Sequence, residues 1–245
     1  MRFFIILIGL SCWLKCDSQA LSHNRWSELL KLHVDSSGNV NYKSIMKDSI
    51  QLNNYLAKLS NNPPRPSWTV NETKAYWINA YNAFTIQLVL RNYPIRSIKE
   101  IGSRIPFINS TWDIPFIRIG SELLSLNTIE HLILRKKYKD PRIHMALVCA
   151  SRSCPALKNE AYSAESLDFQ LDEQSYKFIM DPFRNKIQTS DLKISQLFKW
   201  YSSDFKKGGG IIPFINKYSE VKIQKNAQID YLEYDWSLNE KTTPD

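Results

Sequence analysis

The chain has 245 residues, of which 43% are hydrophobic and 23% are charged, and its formal net charge is +8. This length suits one domain with a sizeable core. The positive charge is spread along the chain without a basic block or a basic–aromatic motif, so no nucleic-acid partner is expected. A solvated basic surface or attraction to an anionic envelope component explains the charge instead.

The N-terminal segment has the pattern of a secretory signal peptide. An apolar stretch over residues 3–14 is followed by small residues at Ser18 and Ala20, where a cleavage site is expected. Cleavage after Ala20 is favoured over lipid anchoring, because Cys12 and Cys16 follow poor lipidation sequences. We therefore assign residues 1–20 to the signal peptide, 21–239 to a single globular domain and 240–245 to a frayed tail.

The same segment gives an expectation about location. No later apolar stretch reaches the roughly 20 residues that a membrane span needs, so we expect no membrane span after signal removal. The protein is predicted to be exported, as a periplasmic or secreted protein. Disulfides persist in such compartments.

The first half of the chain predicts helices. Apolar residues at helical spacing predict one helix through Trp26 and a second through Leu56. After a proline-rich break, the capping-box pattern of Thr69 and Glu72 opens a third helix, which is apolar on nearly every face from 75 to 90. We expect this helix to be central and buried, with Trp77 and Tyr81 in the core.

Two amides interrupt that apolar helix. Asn79 and Asn82 fall on one side of it, where apolar side chains would pack. An amide buried without a partner costs roughly 1–3 kcal/mol, so both side chains must find hydrogen bonds.

The second half alternates short strands and helices. A hairpin is predicted around Gly120, and a capping box from Asn127 to Glu130 predicts a helix that carries His131 and Arg135. The apolar run 145–149 is interpreted as a buried strand. Further helices are predicted over 163–180, near 197–201 and near Phe214, and strands at 186–188, 192–194, 221–223 and 229–232. The fold class is α+β: a helix-rich single domain with a central buried helix and small antiparallel or mixed sheets.

Residues 140–157 hold the side chains most suited to chemistry. A strand places His144 and Cys149 on opposite faces and roughly 16 Å apart, which argues against a contact between them. His131, on another element, is therefore the candidate base, with Glu130 as its orienting carboxylate. A thiol beside an imidazolium ionises and becomes a nucleophile, so this arrangement predicts a catalytic Cys149.

Two other roles for these groups stay open. The turn between Cys149 and Cys154 permits a disulfide, which would fix the turn more than the fold. His131, His144 and the two cysteines are ligand types that zinc prefers, but their spacing matches no standard site, so no metal and no other cofactor is expected.

Three motifs together resemble one protein family. They are Ala75-Tyr76-Trp77-Ile78-Asn79-Ala80-Tyr81-Asn82-Ala83, Ile129-Glu130-His131-Leu132-Ile133-Leu134-Arg135, and the stretch 140–155. In this order they are similar to domain-of-unknown-function family 547, over a core of 71–176, and especially to its exported bacterial branch from the Bacteroidetes group. The positions that match the family motif are Asn79, Asn82, Glu130, His131, Arg135, Arg142, His144 and Cys149. Eukaryotic relatives can carry serine where this chain has Cys154, which favours Cys149 acting alone.

The resemblance implies no established activity. The leading hypothesis is a cysteine-dependent hydrolase or acyltransferase with Cys149 as nucleophile, His131 as base and Glu130 as orienter. Asn79 and Asn82, with His144, Arg135 and Arg142, are the candidate binding residues for a small-molecule substrate. The alternative is a non-enzymatic envelope binding or structural module with a buried polar network and a Cys149–Cys154 disulfide.

Overall fold

The computed structural model describes residues 20–102 and 110–241. The predicted signal peptide lies outside the described residues, except for Ala20. No helix within the two described ranges is long and apolar enough to cross a membrane.

The described chain forms a helix-rich α+β fold, as predicted. Its α-helices are Asn24–His33 (α1), Tyr42–Lys47 (α2), Ser49–Asn61 (α3), Val70–Asn92 (α4), Lys99–Gly102 (α5), Lys136–Tyr138 (α6), Ile143–Ala146 (α7), Leu167–Met180 (α8), Gln196–Trp200 (α9), Ser202–Phe205 (α10) and Ile211–Tyr218 (α11). A π-helix spans Thr128–Arg135, and 3₁₀ turns span Thr111–Asp113 and Lys206–Gly208.

Helix α4 is the central element, as the sequence predicts. Its N-terminus carries the full capping box, in which the Thr69 side chain accepts from the Glu72 N–H and the Glu72 carboxylate accepts from the Thr69 N–H. Sixteen of its 23 residues are buried, including Trp77 and Tyr81. A helix buried on nearly every face needs neighbours on all sides, and α3 and the π-helix both pack against it.

The strands form two small sheets. Ile117–Ile119 (β1) and Glu122–Leu124 (β2) make the predicted antiparallel hairpin, with Gly120 at φ 58° in its turn. Lys186–Ile187 (β3) pairs antiparallel with Asp191–Ile194 (β4), which pairs parallel with Gln228–Tyr231 (β5). The second sheet is therefore mixed.

The apolar side chains pack into two clusters. The larger cluster surrounds α4 and takes residues from Trp26 to Leu171, together with Leu238 near the C-terminus. The smaller cluster joins the end of α8 to α9, α10, α11 and β4, and Met145 belongs to it. The short helix α7 therefore contributes to both cores and lies at their junction.

The predicted strand over 145–149 is wrong. Residues 143–146 form α7, in which Leu147 N–H bonds the Ile143 carbonyl, and the chain becomes extended only at Leu147. The Asn82 side chain supplies what a neighbouring strand would have supplied, since it bonds the Ala146 carbonyl and the Val148 N–H. The apolar run is buried, but an amide side chain and not a sheet satisfies its backbone.

Four smaller expectations also differ. Residues 221–223 form no strand, because the Asn216 amide bonds both backbone groups of Ile223. The N-terminus of the π-helix is capped by the Ser125 hydroxyl, which accepts from the Thr128 N–H, and Asn127 provides no cap. Helix α2 was not predicted. Glu240, placed in the frayed tail, pairs with Val40 and accepts from the Tyr93 hydroxyl at 2.6 Å.

Candidate functional site

A cavity of about 190 Å³ opens where the two apolar clusters meet. Among the described residues, its wall comes from α4, the π-helix, α7, α9 and the C-terminal segment. The lining residues are Tyr81, Trp112, Asn127, Glu130, His144, Leu147, Cys149, Cys154, Leu197, Trp200, Tyr201, Tyr234 and Trp236. The elements that carry Asn82, Glu130 and Cys149 meet around this cavity.

Glu130 is the acidic group of the cavity. Glu130 lies on the π-helix and is only 5% exposed. The Tyr81 hydroxyl donates to its Oε2 at 3.2 Å, and His144 Nδ1 lies 3.9 Å from its Oε1. Burial and then the Glu130 charge raise the pKa of Tyr81 well above its usual value, so this hydroxyl keeps its proton and donates.

The burial pattern around Glu130 follows the helical periodicity of the sequence. Ile129, Glu130 and Leu134 are buried and Ile133 is partly buried, which places them on one face of the helix. His131 is only half-buried and Leu132 is exposed. Glu130 therefore faces inward together with the apolar residues of this face.

His144 lies in the cavity wall beside Glu130. Its Nε2 lies 2.8 Å from Asp204 Oδ2, and its ring stacks on Tyr201 with 3.9 Å between centroids. The argument that places His144 and Cys149 on opposite faces assumes a strand. Because residues 143–146 form a helical turn, that argument does not hold, and both side chains line the same cavity.

His131 does not line the cavity among the described residues. Its Nδ1 lies 2.7 Å from Arg135 Nη1, and because a guanidinium only donates, Nδ1 is the accepting nitrogen. Arg135 in turn makes a two-point ion pair with Asp204, through Nε at 2.6 Å and Nη2 at 2.9 Å. The predicted role of His131 as a base for Cys149 stays a prediction.

The Asp204 carboxylate contacts both His144 and Arg135. Its burial raises the pKa of the carboxyl, but the hydrogen bonds and charges of His144 and Arg135 outweigh burial and hold that pKa well below its usual value. No sequence pattern marks Asp204, which occupies an ordinary acidic position in the short helix α10.

Cys149 and Cys154 form a disulfide, with 6.1 Å between their α-carbons. This is one of the two roles left open for the pair. Two hydroxyl oxygens approach the Cys149 sulfur, those of Ser151 at 3.2 Å and Tyr234 at 3.4 Å. In this state Cys149 has no free thiol.

The side-chain amides of Asn79 and Asn82 each donate one hydrogen bond to the backbone and accept another from it. Asn79 donates to the Tyr162 carbonyl at 2.8 Å and accepts from the Tyr162 N–H at 3.0 Å. Asn82 donates to the Ala146 carbonyl at 2.9 Å and accepts from the Val148 N–H at 3.0 Å. The buried amides therefore find partners, as required, and their side chains fix the segments that carry the site.

Arg142 is also engaged within the protein. Its guanidinium bonds Asp140, Asp168 and Asp172, with distances from 2.8 to 3.1 Å. It does not line the cavity. Nor do the described residues hold any group of three or more His, Cys, Asp or Glu side chains placed to bind a metal ion.

The aromatic wall of the cavity was missed by the sequence interpretation. It comprises Trp112, Trp200, Tyr201, Tyr234 and Trp236, together with Tyr81, which was expected only in the core. The sequence signal that points to part of it is the Tyr-Asp-Trp run at 234–236. Trp200, Tyr201, Tyr234 and Trp236 lie far from the motifs in sequence, so nothing in their spacing links them to Glu130.

Comparison with known proteins shows that the central part of the chain is similar to one family. Residues 66–179 match the model of the family described as "Protein of unknown function, DUF547". No curated protein and no solved structure matches the chain. The DUF547 region contributes Tyr81, Glu130, His144 and the disulfide to the cavity, whereas its aromatic wall beyond residue 196 lies outside that region.

Proposed function

We propose that this protein is a binding module whose cavity holds a small cationic ligand, an amine or a quaternary ammonium. The observation that carries the proposal is the buried carboxylate of Glu130. Within the described residues no lysine or arginine lies within 4 Å of it, and its contacts are the Tyr81 and Tyr201 hydroxyls and, at 3.9 Å, His144. A buried charge is costly unless it is paired, so a cationic ligand would complete this site.

The nearest cations of the protein are already engaged. Arg135 makes its two-point pair with Asp204, and the same carboxylate bonds His144 Nε2. These contacts leave the Glu130 carboxylate as the acidic group facing the cavity.

The aromatic wall supports the same ligand class. The faces of Trp and Tyr rings attract cations through their quadrupoles, with about 0.5–2 kcal/mol for each well-placed ring. Trp200, Tyr234 and Trp236 pack on one another with centroids 4.5–5.7 Å apart, which makes a rigid aromatic rim. The cavity volume of about 190 Å³ suits a ligand of only a few heavy atoms.

The test compares a cation with its neutral isostere. Choline is expected to bind in titration calorimetry, and 3,3-dimethyl-1-butanol, which has the same shape without the charge, at least tenfold more weakly. Glu130→Gln keeps the shape of the side chain and is expected to weaken choline binding at least tenfold, about 1.4 kcal/mol. Glu122→Gln makes the same charge change at an exposed position outside the cavity and should leave the affinity unchanged. Equal binding of both ligands, unaffected by Glu130→Gln, would refute the proposal.

A second candidate function is the cysteine-dependent hydrolase or acyltransferase. The observation in its favour is that Cys149, His144 and Glu130 line one cavity. It requires a reduced Cys149, since a bridged sulfur cannot act as a nucleophile. Thioester hydrolysis that appears only after reduction and is lost in Cys149→Ser would support this function, and its absence after reduction would exclude it.

We further propose that the protein works after export, as a member of the exported bacterial branch of the family. The signal-peptide pattern of residues 1–20 and the disulfide both support this location, because disulfides persist in oxidising compartments. Detection of a mature chain that begins at Leu21, by N-terminal sequencing of secreted or periplasmic protein, tests it.

A further inference from the structure

The two sulfurs of the disulfide have different surroundings. Both cysteines line the cavity, but Cys149 is half-buried whereas Cys154 is only 3% exposed. An incoming small molecule therefore meets Cys149 first. Asymmetry of this kind decides which sulfur is attacked in thiol–disulfide exchange, since access controls the reaction.

Hydroxyl groups are placed to stabilise negative charge on Cys149. A disulfide sulfur has no hydrogen, so a hydroxyl that forms a hydrogen bond with it must be the donor. Ser151 donates to the Tyr234 oxygen at 3.2 Å, which leaves the Tyr234 proton for Cys149 Sγ at 3.4 Å. Burial raises the pKa of Tyr234 to about 12, so this donor is protonated at neutral pH.

The other sulfur has a donor of its own. The backbone N–H of Cys149 points at Cys154 Sγ, with 2.8 Å between nitrogen and sulfur. If the bridge opens, this N–H stabilises a thiolate on Cys154, as backbone donors do for other anions. Cys154 is therefore equipped as the leaving group.

The loop between the cysteines is held by other parts of the chain. The C-terminal segment pairs with it, through Asn239 N–H to the Ala150 carbonyl and Arg152 N–H to the Ser237 carbonyl. The Arg184 side chain donates to the carbonyls of Arg152 and Cys154. Because these contacts do not depend on the bridge, opening it leaves the two sulfurs near each other and able to close again.

We propose that the Cys149–Cys154 bridge is a thiol-exchange site that is attacked at Cys149 by low-molecular-weight thiols. The thiolate bonds to Cys149 Sγ, the bond between the two protein sulfurs breaks, and its electron pair passes to Cys154. A second equivalent of thiol attacks the outer sulfur of this mixed disulfide, releases the Cys149 thiolate and leaves as the small-molecule disulfide. The protein gains two electrons, and the thiol pair loses them.

The first experiment measures the asymmetry with single-thiol variants. The folded Cys154→Ser variant keeps Cys149, and the folded Cys149→Ser variant keeps Cys154. The first should react with the neutral reagent 4,4′-dithiodipyridine at least tenfold faster than the second. In 8 M urea the two variants should react at the same rate, which shows that folding causes the difference. A native Cys149→Ser that reacts as fast as Cys154→Ser overturns the proposal, and so does a native Cys154→Ser that fails to react.

The second experiment uses the unaltered chain, so it does not depend on how a variant folds. The protein is exposed to 2-mercaptoethanol, quenched with acid, and digested for mass spectrometry. The mixed disulfide is expected on Cys149, and a mixed disulfide found mainly on Cys154 contradicts the mechanism. Because neither 2-mercaptoethanol nor its thiolate is a cation, the outcome is independent of whether Glu130 binds cations.

Tyr234 is a positioning residue in this proposal. In the Cys154→Ser background, Tyr234→Phe removes the donor to Cys149, so the pH profile of Cys149 alkylation should shift to higher pH by at least half a unit. Tyr231→Phe, which lies in β5 outside the cavity lining, should leave the profile in place. If the pH profile of Cys149 alkylation does not shift in Tyr234→Phe, the Tyr234 hydroxyl does not stabilise the Cys149 thiolate.

Discussion

Asn79 and Asn82 act as substitutes for peptide groups. Each amide donates to one backbone carbonyl and accepts from one backbone N–H, so a single side chain pairs both polar groups of a passing segment. The sequence established that these amides are buried and need partners. It did not identify the partners, because Ala146, Val148 and Tyr162 lie more than 60 residues away along the chain.

At the residue scale we predict that Asn82→Ala is strongly destabilising. It leaves the Ala146 carbonyl and the Val148 N–H buried without partners, and each loss costs about 1–3 kcal/mol. Urea unfolding should show a loss of about 2–4 kcal/mol in the free energy of unfolding. Asn54→Ala on the exposed face of α3 should stay within about 0.5 kcal/mol of the original protein. A similar small effect for Asn82→Ala would show that its amide is not a structural clamp.

The elements around the site are not regular α-helices or strands. Residues 128–135 form a π-helix, and the run 145–149 divides into a helical turn and an extended segment. Longer elements, such as α4 and α8, follow the sequence prediction. Local sequence decides elements whose buried face repeats over several turns, whereas neighbours decide elements of one or two turns.

The helix that follows the π-helix ends with Lys139 in the left-handed conformation, at φ 51° and ψ 37°. At the scale of this element we predict that Lys139→Gly raises the free energy of unfolding by about 1 kcal/mol, because glycine adopts this conformation without a steric cost. Lys137→Gly, within α6, should lower it by about 1 kcal/mol. Thermal or urea unfolding of both variants checks the opposite signs, and a loss of stability in both would contradict this account of Lys139.

Across the whole molecule, a charged network joins the two apolar clusters. Lys74 of α4 bonds Asp140, and Arg142 bonds Asp140, Asp168 and Asp172. Lys217 of α11 bonds Asp172 as well. The network therefore links the core around α4 with the core around α11, and the cavity opens between the same two cores.

This network predicts a loss of stability in acid. Burial raises the pKa of Asp140, but the hydrogen bonds and charges of Arg142 and Lys74 outweigh it and lower the pKa to about 2. A depressed folded-state pKa stabilises the protein above the unfolded value near 4, and this stabilisation is lost as the pH falls from about 5 towards 2. The expected contribution of Asp140 is about 2 kcal/mol.

The measurement is the free energy of unfolding between pH 6 and pH 2.5. Asp140→Asn should be less stable than the original protein at pH 6, and the difference should shrink as the pH falls. Asp230→Asn changes an exposed carboxylate in β5, so its difference from the original protein should stay nearly constant with pH. If the two variants show the same pH dependence, Asp140 is not the group that the network holds ionised.

The sequence by itself determined the helix-rich α+β class, the central buried helix and the hairpin around Gly120. These features follow from capping residues, turn residues and apolar periodicity, all of which act over a few neighbouring positions. Only the tertiary structure decided that the two cysteines are bridged, that His144 and not His131 borders the cavity, and that aromatic rings from residues 200–236 close it. Those contacts join segments far apart in the chain, and their geometry depends on how the two cores pack against each other.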